Sequence, residues 1–187
     1  SLISHNIISH NKANGYSAGG GGNGIYIREG EAEILYNVIH SNKEMENAYD
    51  SEGGGVLIYL SDTSINHNII SYNTAGKGGG IYGGDIIENN CIVNNYASGF
   101  GGGCIGTKSL KKNSFIYNQS KIGSAFYYCL GSHESNTIHL NYPIESFEGS
   151  TIATDKEFVL NDNNIYINND QYVIDLLSNI NVYASNN

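Results

Sequence analysis

The chain has 187 residues, with 9 basic against 18 acidic side chains and a formal charge of -9, a balance that repels phosphate backbones and anionic lipid surfaces. Arg28 is the only Arg and the Lys residues are scattered apart from Lys111-Lys112, so nucleic acid is not an expected partner. No run of 18 apolar residues is present to insert into a membrane, and one Pro, no Trp, 24 Gly and 15 Tyr suit short strands and tight turns better than helices.

In chain order the sequence is built from one nine-residue signature, Ile-x-x-Asn-x-Ile-x-x-Asn. The first rung is Ile3, Asn6, Ile8, Asn11, the second Ile34, Asn37, Ile39, Asn42, and the third Ile65, Asn68, Ile70, Asn73, each 31 residues after the last. Ile87, Asn90, Ile92, Asn95 follow after 22 residues, Leu110, Asn113, Phe115, Asn118 after 23, and His133, Asn136, Ile138, Asn141 after a further 23. A seventh rung is read as Asn161, Asn164, Tyr166, Asn169, 28 residues on.

Between these rungs lie glycine-led strands such as Gly53-Gly54-Gly55-Val56-Leu57, Gly78-Gly79-Gly80-Ile81-Tyr82 and Gly101-Gly102-Gly103-Cys104-Ile105. Strands of three to five residues cannot bury their apolar faces alone, but coils stacked about 4.8 Å apart can. The columns agree. Ile25, Val56, Ile81, Cys104, Phe126 and Ile152 form one apolar stack, and Ile8, Ile39, Ile70, Ile92, Phe115, Ile138 and Tyr166 another. The expected architecture is all-β, a parallel β-helix of about six to seven coils.

Asn6, Asn37, Asn68, Asn90, Asn113, Asn136 and Asn164 are expected at bends, where Asn tolerates unusual backbone angles and passes amide hydrogen bonds from rung to rung. The sequon at Asn118 falls in the second Asn column, which argues against glycosylation. Cys91, Cys104 and Cys129 occupy different repeat positions and read as three unpaired thiols in or near the core.

The first two coils are longer, which places loops 12–21 and 43–52 on one flank. Residues 1–152 make the coils, and 153–187 a degenerate last coil and a C-terminal cap, with a strand or short helix at 172–177. Because Ile3 already lies inside a signature, further coils are expected before Ser1.

The GGGIY strands with IxxN and NxA elements, as at Gly78 to Tyr82, Ile65 to Asn68 and Asn73 to Ala75, resemble the right-handed parallel β-helix (pectate-lyase-like) superfamily. The repeats look like the polymorphic outer membrane protein type, with Gly80 or Gly103 where that type has Ala and Ile in place of its Phe. The resemblance covers about residues 1 to 152 and implies a right-handed helix and a surface adhesin or passenger module. Other relatives act on polysaccharides, but no catalytic residue lies in the matched motifs.

A polysaccharide lyase needs a base and a cation-binding carboxylate set. Arg28 has no carboxylate on an adjacent rung of its column, while Glu29, Glu31, Glu33 and Asp62 share a turn and are the weak candidates for a Ca²⁺ site. A glycosidase needs two carboxylates across a cleft, and Glu44, Glu46, Asp50 and Glu52 crowd one loop. His5 and His67 share a column with Tyr36, and His133 replaces a core aliphatic.

Tyr26, Leu57, Tyr82, Ile105 and Tyr127 are expected to line an exterior strip beside the small-residue column Gly24, Gly55, Gly80, Gly103, Ala125. Tyr26, Tyr82, Tyr127, Gly80 and Gly103 are thus the candidate ligand-binding residues, for a glycan or a cell-surface protein. The expected function is an extracellular or cell-surface structural and adhesion module without an obligate cofactor. The alternative is a carbohydrate-active enzyme, lyase or hydrolase, on the same scaffold.

Overall fold

Each rung turns twice within nine residues, so most strands are short and must find their partners in the next coil rather than in a hairpin. In the computed structural model, which describes residues 1–13, 23–45, 51–144, 149–155, 157–166, 172–176 and 182–185, every paired strand is parallel and no helix occurs among the described residues. The strands form thirteen-, seven- and six-stranded sheets wrapped around one core. The third coil shows the path: Val56–Asn66 in the large sheet, Ile69–Ser71 in the seven-stranded sheet, Thr74–Lys77 in the six-stranded sheet, then Ile81–Tyr82 back in the large one. This is a parallel β-solenoid.

The core columns pair in register. Ile25 lies opposite Val56, Val56 opposite Ile81, Ile81 opposite Cys104, Cys104 opposite Phe126 and Phe126 opposite Ile152. The second stack runs from Ile8 through Ile39, Ile70, Ile92 and Phe115 to Ile138. Apart from Ile8, at the end of its stack, these residues are nearly all fully buried, and each fully buried Ile or Phe contributes on the order of 2 kcal/mol of transfer free energy.

The seventh rung is displaced by one residue from the sequence reading. Ile138 pairs with Ile165, not Tyr166, His133 pairs with Leu160, and Asn136 is bonded to Asn163 rather than Asn164. The apolar pair Leu160 and Ile165 decides this, because a one-residue slip would turn both to solvent.

The bends also differ from expectation. The left-handed residue is the one before each ladder Asn: His5, Tyr36, His67, Asn89, Lys112, Ser135 and Asp162 have φ of 52 to 57°. The same holds at the second turn for His10, Ser41, Tyr72, Asn94, Tyr117 and Leu140. The Asn holds the bend by its side chain. Asn37 Nδ2, for example, donates to Leu35 O across the turn at 2.9 Å.

Two asparagine ladders result. In the first, Nδ2 of Asn6, Asn37, Asn68, Asn90, Asn113 and Asn136 each donates to Oδ1 of the next Asn at 2.9 to 3.1 Å, ending on Asn163. The second runs from Asn11 to Asn141 with the same geometry. Each Oδ1 also accepts the backbone N–H of the preceding coil's Asn, as Asn90 Oδ1 does from Asn68 at 2.9 Å. Asn118 is fully buried in this ladder, which leaves its amide inaccessible to glycosylation in the folded chain.

The extra residues after the first two glycine strands do not make loops. They lengthen Ile25–Leu35 and Val56–Asn66 to 11 residues, bent where Glu29 and Leu60 take φ of 60° and 50°. Lys12–Ala13 and Lys43–Glu44 pair at the start of the expected flank loops, of which residues 14–21 and 46–50 lie outside the described residues. Tyr172–Leu176, expected to cap the end, pairs in parallel with Ser150–Thr154, and Val182–Ser185 pairs with Phe158–Asn161.

Candidate functional site

The tyrosine strip forms in register but not as an open surface. Tyr26 pairs with Leu57, Leu57 with Tyr82, Tyr82 with Ile105 and Ile105 with Tyr127. Tyr26 is 42% exposed, yet Leu57 and Ile105 between the tyrosines are 0% and 7%. The backbone before each strand folds back over it. Gly53, Gly78, Gly101 and Gly123 have φ of 62 to 67°, and an added Cβ would meet Leu57, Ile105 or Tyr127. Phe100 also stacks on Tyr127 at 4.9 Å.

Gly80 and Gly103 face the interior, not a ligand. A Cβ at Gly80 would lie 2.5 Å from Gly103 O and 3.2 Å from Asn95 Nδ2, and one at Gly103 would lie 2.4 Å from Ala125 O and 2.8 Å from Phe115. Both are buried, because the second ladder leaves no room for a side chain. Tyr82 and Tyr127 are half-buried, and burial pushes both phenols up, with Glu52 adding at Tyr82 and Asp155 at Tyr127. Of the strip's candidates, Tyr26, Tyr82 and Tyr127 keep accessible surface.

A groove of about 480 Å³ lies beside Glu31, Glu33, Asp62, Asp85 and Thr63. Glu31 and Asp62 are register partners in neighbouring coils. The Asp85 carboxyl hydrogen-bonds Asp62 and its charge acts in the same direction, which raises the Asp62 carboxyl above its usual range. Lys108 Nζ reaches Asp85 at 2.6 Å and Asp62 at 4.0 Å, so the pair already has its cation. Glu29 lies apart, 3.5 Å from Arg28 Nε, and Arg28 sits 6.0 Å over the Tyr59 ring. Among the described residues no three His, Cys, Asp or Glu side chains converge on one point, and Glu29 stands apart from Glu31 and Asp62. Of the loop carboxylates, Glu44 accepts from the Ser51 hydroxyl, while Glu46 and Asp50 lie outside the described residues.

The surface that sequence reading missed is the outer face of the seven-stranded sheet. Each of its strands turns two residues outward, and none of these fourteen is Asp, Glu, Lys or Arg, in a chain carrying 27 such residues. One column holds Ile7, Val38, Ile69 and Cys91, the other Val93 and Ile116, with Ser, Thr, Asn, His or Tyr at the remaining positions. Ile7 is 75% and Ile69 47% exposed.

Tyrosines edge this face on both sides, because the two left-handed turns project their side chains there. Tyr36 stacks between His5 and His67 at 5.2 and 4.9 Å, and Tyr72 and Tyr117 stand on the opposite margin. All three tyrosines are exposed. The signal was present in the signature itself: the residue before its second Ile is Ile7, Val38, Ile69 or Cys91 in the first four rungs, apolar on the side away from the core. Comparison of the chain with protein-family models, with curated proteins and with solved structures finds no match.

Proposed function

We propose that this solenoid is an extracellular, surface-displayed structural and adhesion module that binds a glycan or a cell-surface protein. The observation that supports this most is the uncharged, tyrosine-edged face of the seven-stranded sheet, whose first four strands carry the apolar column Ile7, Val38, Ile69 and Cys91. Single exposed apolar residues are ordinary on any protein, but a contiguous patch of them, rimmed by polar groups, is characteristic of an interaction site. Aromatic rings beside a flat apolar strip stack on the C–H faces of sugars and on apolar protein surfaces alike. Membership of the right-handed, pectate-lyase-like β-helix superfamily belongs to the same reading, since crossovers between parallel strands of one sheet are right-handed in nearly all proteins.

Tyr26, Tyr82 and Tyr127 are a secondary contact in this proposal, limited by the turns that roof Leu57 and Ile105. Glycan-array and intact-cell binding of two variants separates the surfaces. Tyr36→Ser/Tyr72→Ser/Tyr117→Ser is expected to lose binding by tenfold or more, whereas Tyr82→Ser/Tyr127→Ser retains most of it. Equal binding by the wild-type protein and the triple variant overturns the assignment to the seven-stranded sheet.

A second reading, a polysaccharide-degrading enzyme, is favoured by one observation: Asp62 and Asp85 line one acidic groove, where Asp85 raises the Asp62 carboxyl above its usual range. A polysaccharide-degradation screen with and without Ca²⁺ tests it, since activity abolished by Asp62→Asn or Asp85→Asn would favour the enzyme over the module.

A further inference from the structure

Two of the three cysteines meet inside the core. Cys104 Sγ and Cys129 Sγ are 3.7 Å apart, in van der Waals contact, and 0% and 1% exposed. They stand 25 residues apart in sequence, one on the strand Cys104–Ile105 and the other just past Phe126–Tyr127 in the next coil. A bridge between them would span one turn of the solenoid. Cys91 sits on the seven-stranded sheet, half-buried and in another column, so it has no part in the pair.

We propose that Cys104 and Cys129 are a disulfide site that closes one coil into a covalent ring when the chain folds in an oxidising compartment. A sulfur–sulfur bond of about 2.05 Å asks the two sulfurs, now 3.7 Å apart, to approach by less than the width of one atom. The surroundings distinguish the two thiols. Burial pushes Cys104 well up. At Cys129 burial also acts upward, but the Cys104 and Thr107 side chains and the Thr107 and Gly106 backbone hold its thiol below the ordinary value. Thr107 is the neighbour that acts on both thiols, and its buried hydroxyl has no hydrogen-bond partner.

The oxidant is a small-molecule disulfide of the glutathione type. Either cysteine, as thiolate, attacks one sulfur of that disulfide, forming a mixed disulfide and releasing one thiol. The other cysteine then attacks the protein sulfur of the mixed disulfide, and the second oxidant thiol leaves. Two protein S–H bonds are lost and one S–S bond is made. The oxidant's S–S bond is reduced to two thiols, which take up the two protons. Both sulfurs are sealed in the finished core, so the exchange belongs to assembly, before the coils close over it.

The test is oxidative refolding of the chain with reduced and oxidised glutathione, followed by alkylation under denaturant and mass measurement. The expected product is lighter by two hydrogens and takes one adduct, rising to three after reduction under denaturant. Reductant without denaturant leaves it at one adduct. No Lys or Arg separates Cys91 from Cys104, so tryptic peptides do not distinguish them, and Cys91→Ser makes the assignment. That variant is expected to form the bridge undiminished. The oxidised protein is expected to melt on the order of 10 °C above the reduced one, a gap absent from Cys104→Ser/Cys129→Ser. Three adducts after oxidative refolding, or loss of the bridge in Cys91→Ser, overturns the proposal.

Discussion

At the scale of single residues, the asparagine ladder and one buried histidine dominate. Asn90 Oδ1 accepts from both the backbone N–H and the Nδ2 of Asn68, and Asn90 Nδ2 donates to Ile65 O, Glu88 O and Asn113 Oδ1. Asn90→Ala removes all of these at once and strands two buried donors and buried acceptors on either side. Its cost is expected to be about 3 to 5 kcal/mol, read as a lower midpoint in urea unfolding. His133 replaces an aliphatic residue between Leu110 and Leu160, with Nε2 3.2 Å from Cys129 O and Nδ1 without a partner. Burial lowers its pKa from 6.5 to about 4, against weaker upward contributions from the Cys129 and Ser132 backbone.

The sign of the pH effect follows from that depression. Between about pH 6.5 and 4 the unfolded chain binds a proton at this residue that the folded chain does not. Stability is therefore present above pH 6.5 and lost as pH falls, by about 3 kcal/mol in all from this site. His133→Leu is expected to flatten stability over that window and to raise it at neutral pH. Urea titrations of both proteins at pH 7 and pH 4.5 check this. An equal loss in the variant would assign the acid sensitivity elsewhere.

At the scale of elements, the glycine-led turns determine which surfaces are open. Gly78 has φ of 62°, and a Cβ there would lie 2.6 Å from Ile81 O and 2.8 Å from Ile105 Cγ2. Gly78→Ala is expected to cost about 2 kcal/mol and to lift the turn from Ile105, increasing amide exchange at residues 104 to 106. These turns also explain what the sequence concealed. The core columns were legible because an apolar residue, most often Ile, recurs at nearly every 22- to 31-residue step, with His133 the polar exception. The seventh rung slipped by one because Asn161, Asn163 and Asn164 all stand near the ladder position, and only the packing of Leu160 and the half-buried Ile165 on the core separates them. The tyrosine strip was misread as open, since a positive φ at glycine leaves no mark on the hydrophobic pattern. Gly80 and Gly103 were misread as surface for a similar reason: their missing side chains make room for Asn95 and Phe115, not for a ligand.

At the scale of the molecule, charge is segregated by sheet. The large sheet carries exposed ion pairs such as Lys111 with Glu134 at 3.2 Å and Lys108 with Asp85 at 2.6 Å, while the outer face of the seven-stranded sheet carries no Asp, Glu, Lys or Arg. An occupant of that face gains apolar and aromatic contact without having to displace paired charges. Its binding should then depend weakly on salt, unlike association steered by the net charge of -9. Raising the salt tenfold is expected to change the affinity less than threefold.

The most direct test of the adhesion reading is the affinity of the folded chain for intact cell surfaces and neutral glycans, compared with that of Ile7→Lys/Ile69→Lys. Both substituted side chains are exposed, so the fold is expected to survive, as checked by its melting curve. The account predicts that the two introduced charges reduce binding at least tenfold with the melting curve unchanged. Undiminished binding by a folded variant would contradict it.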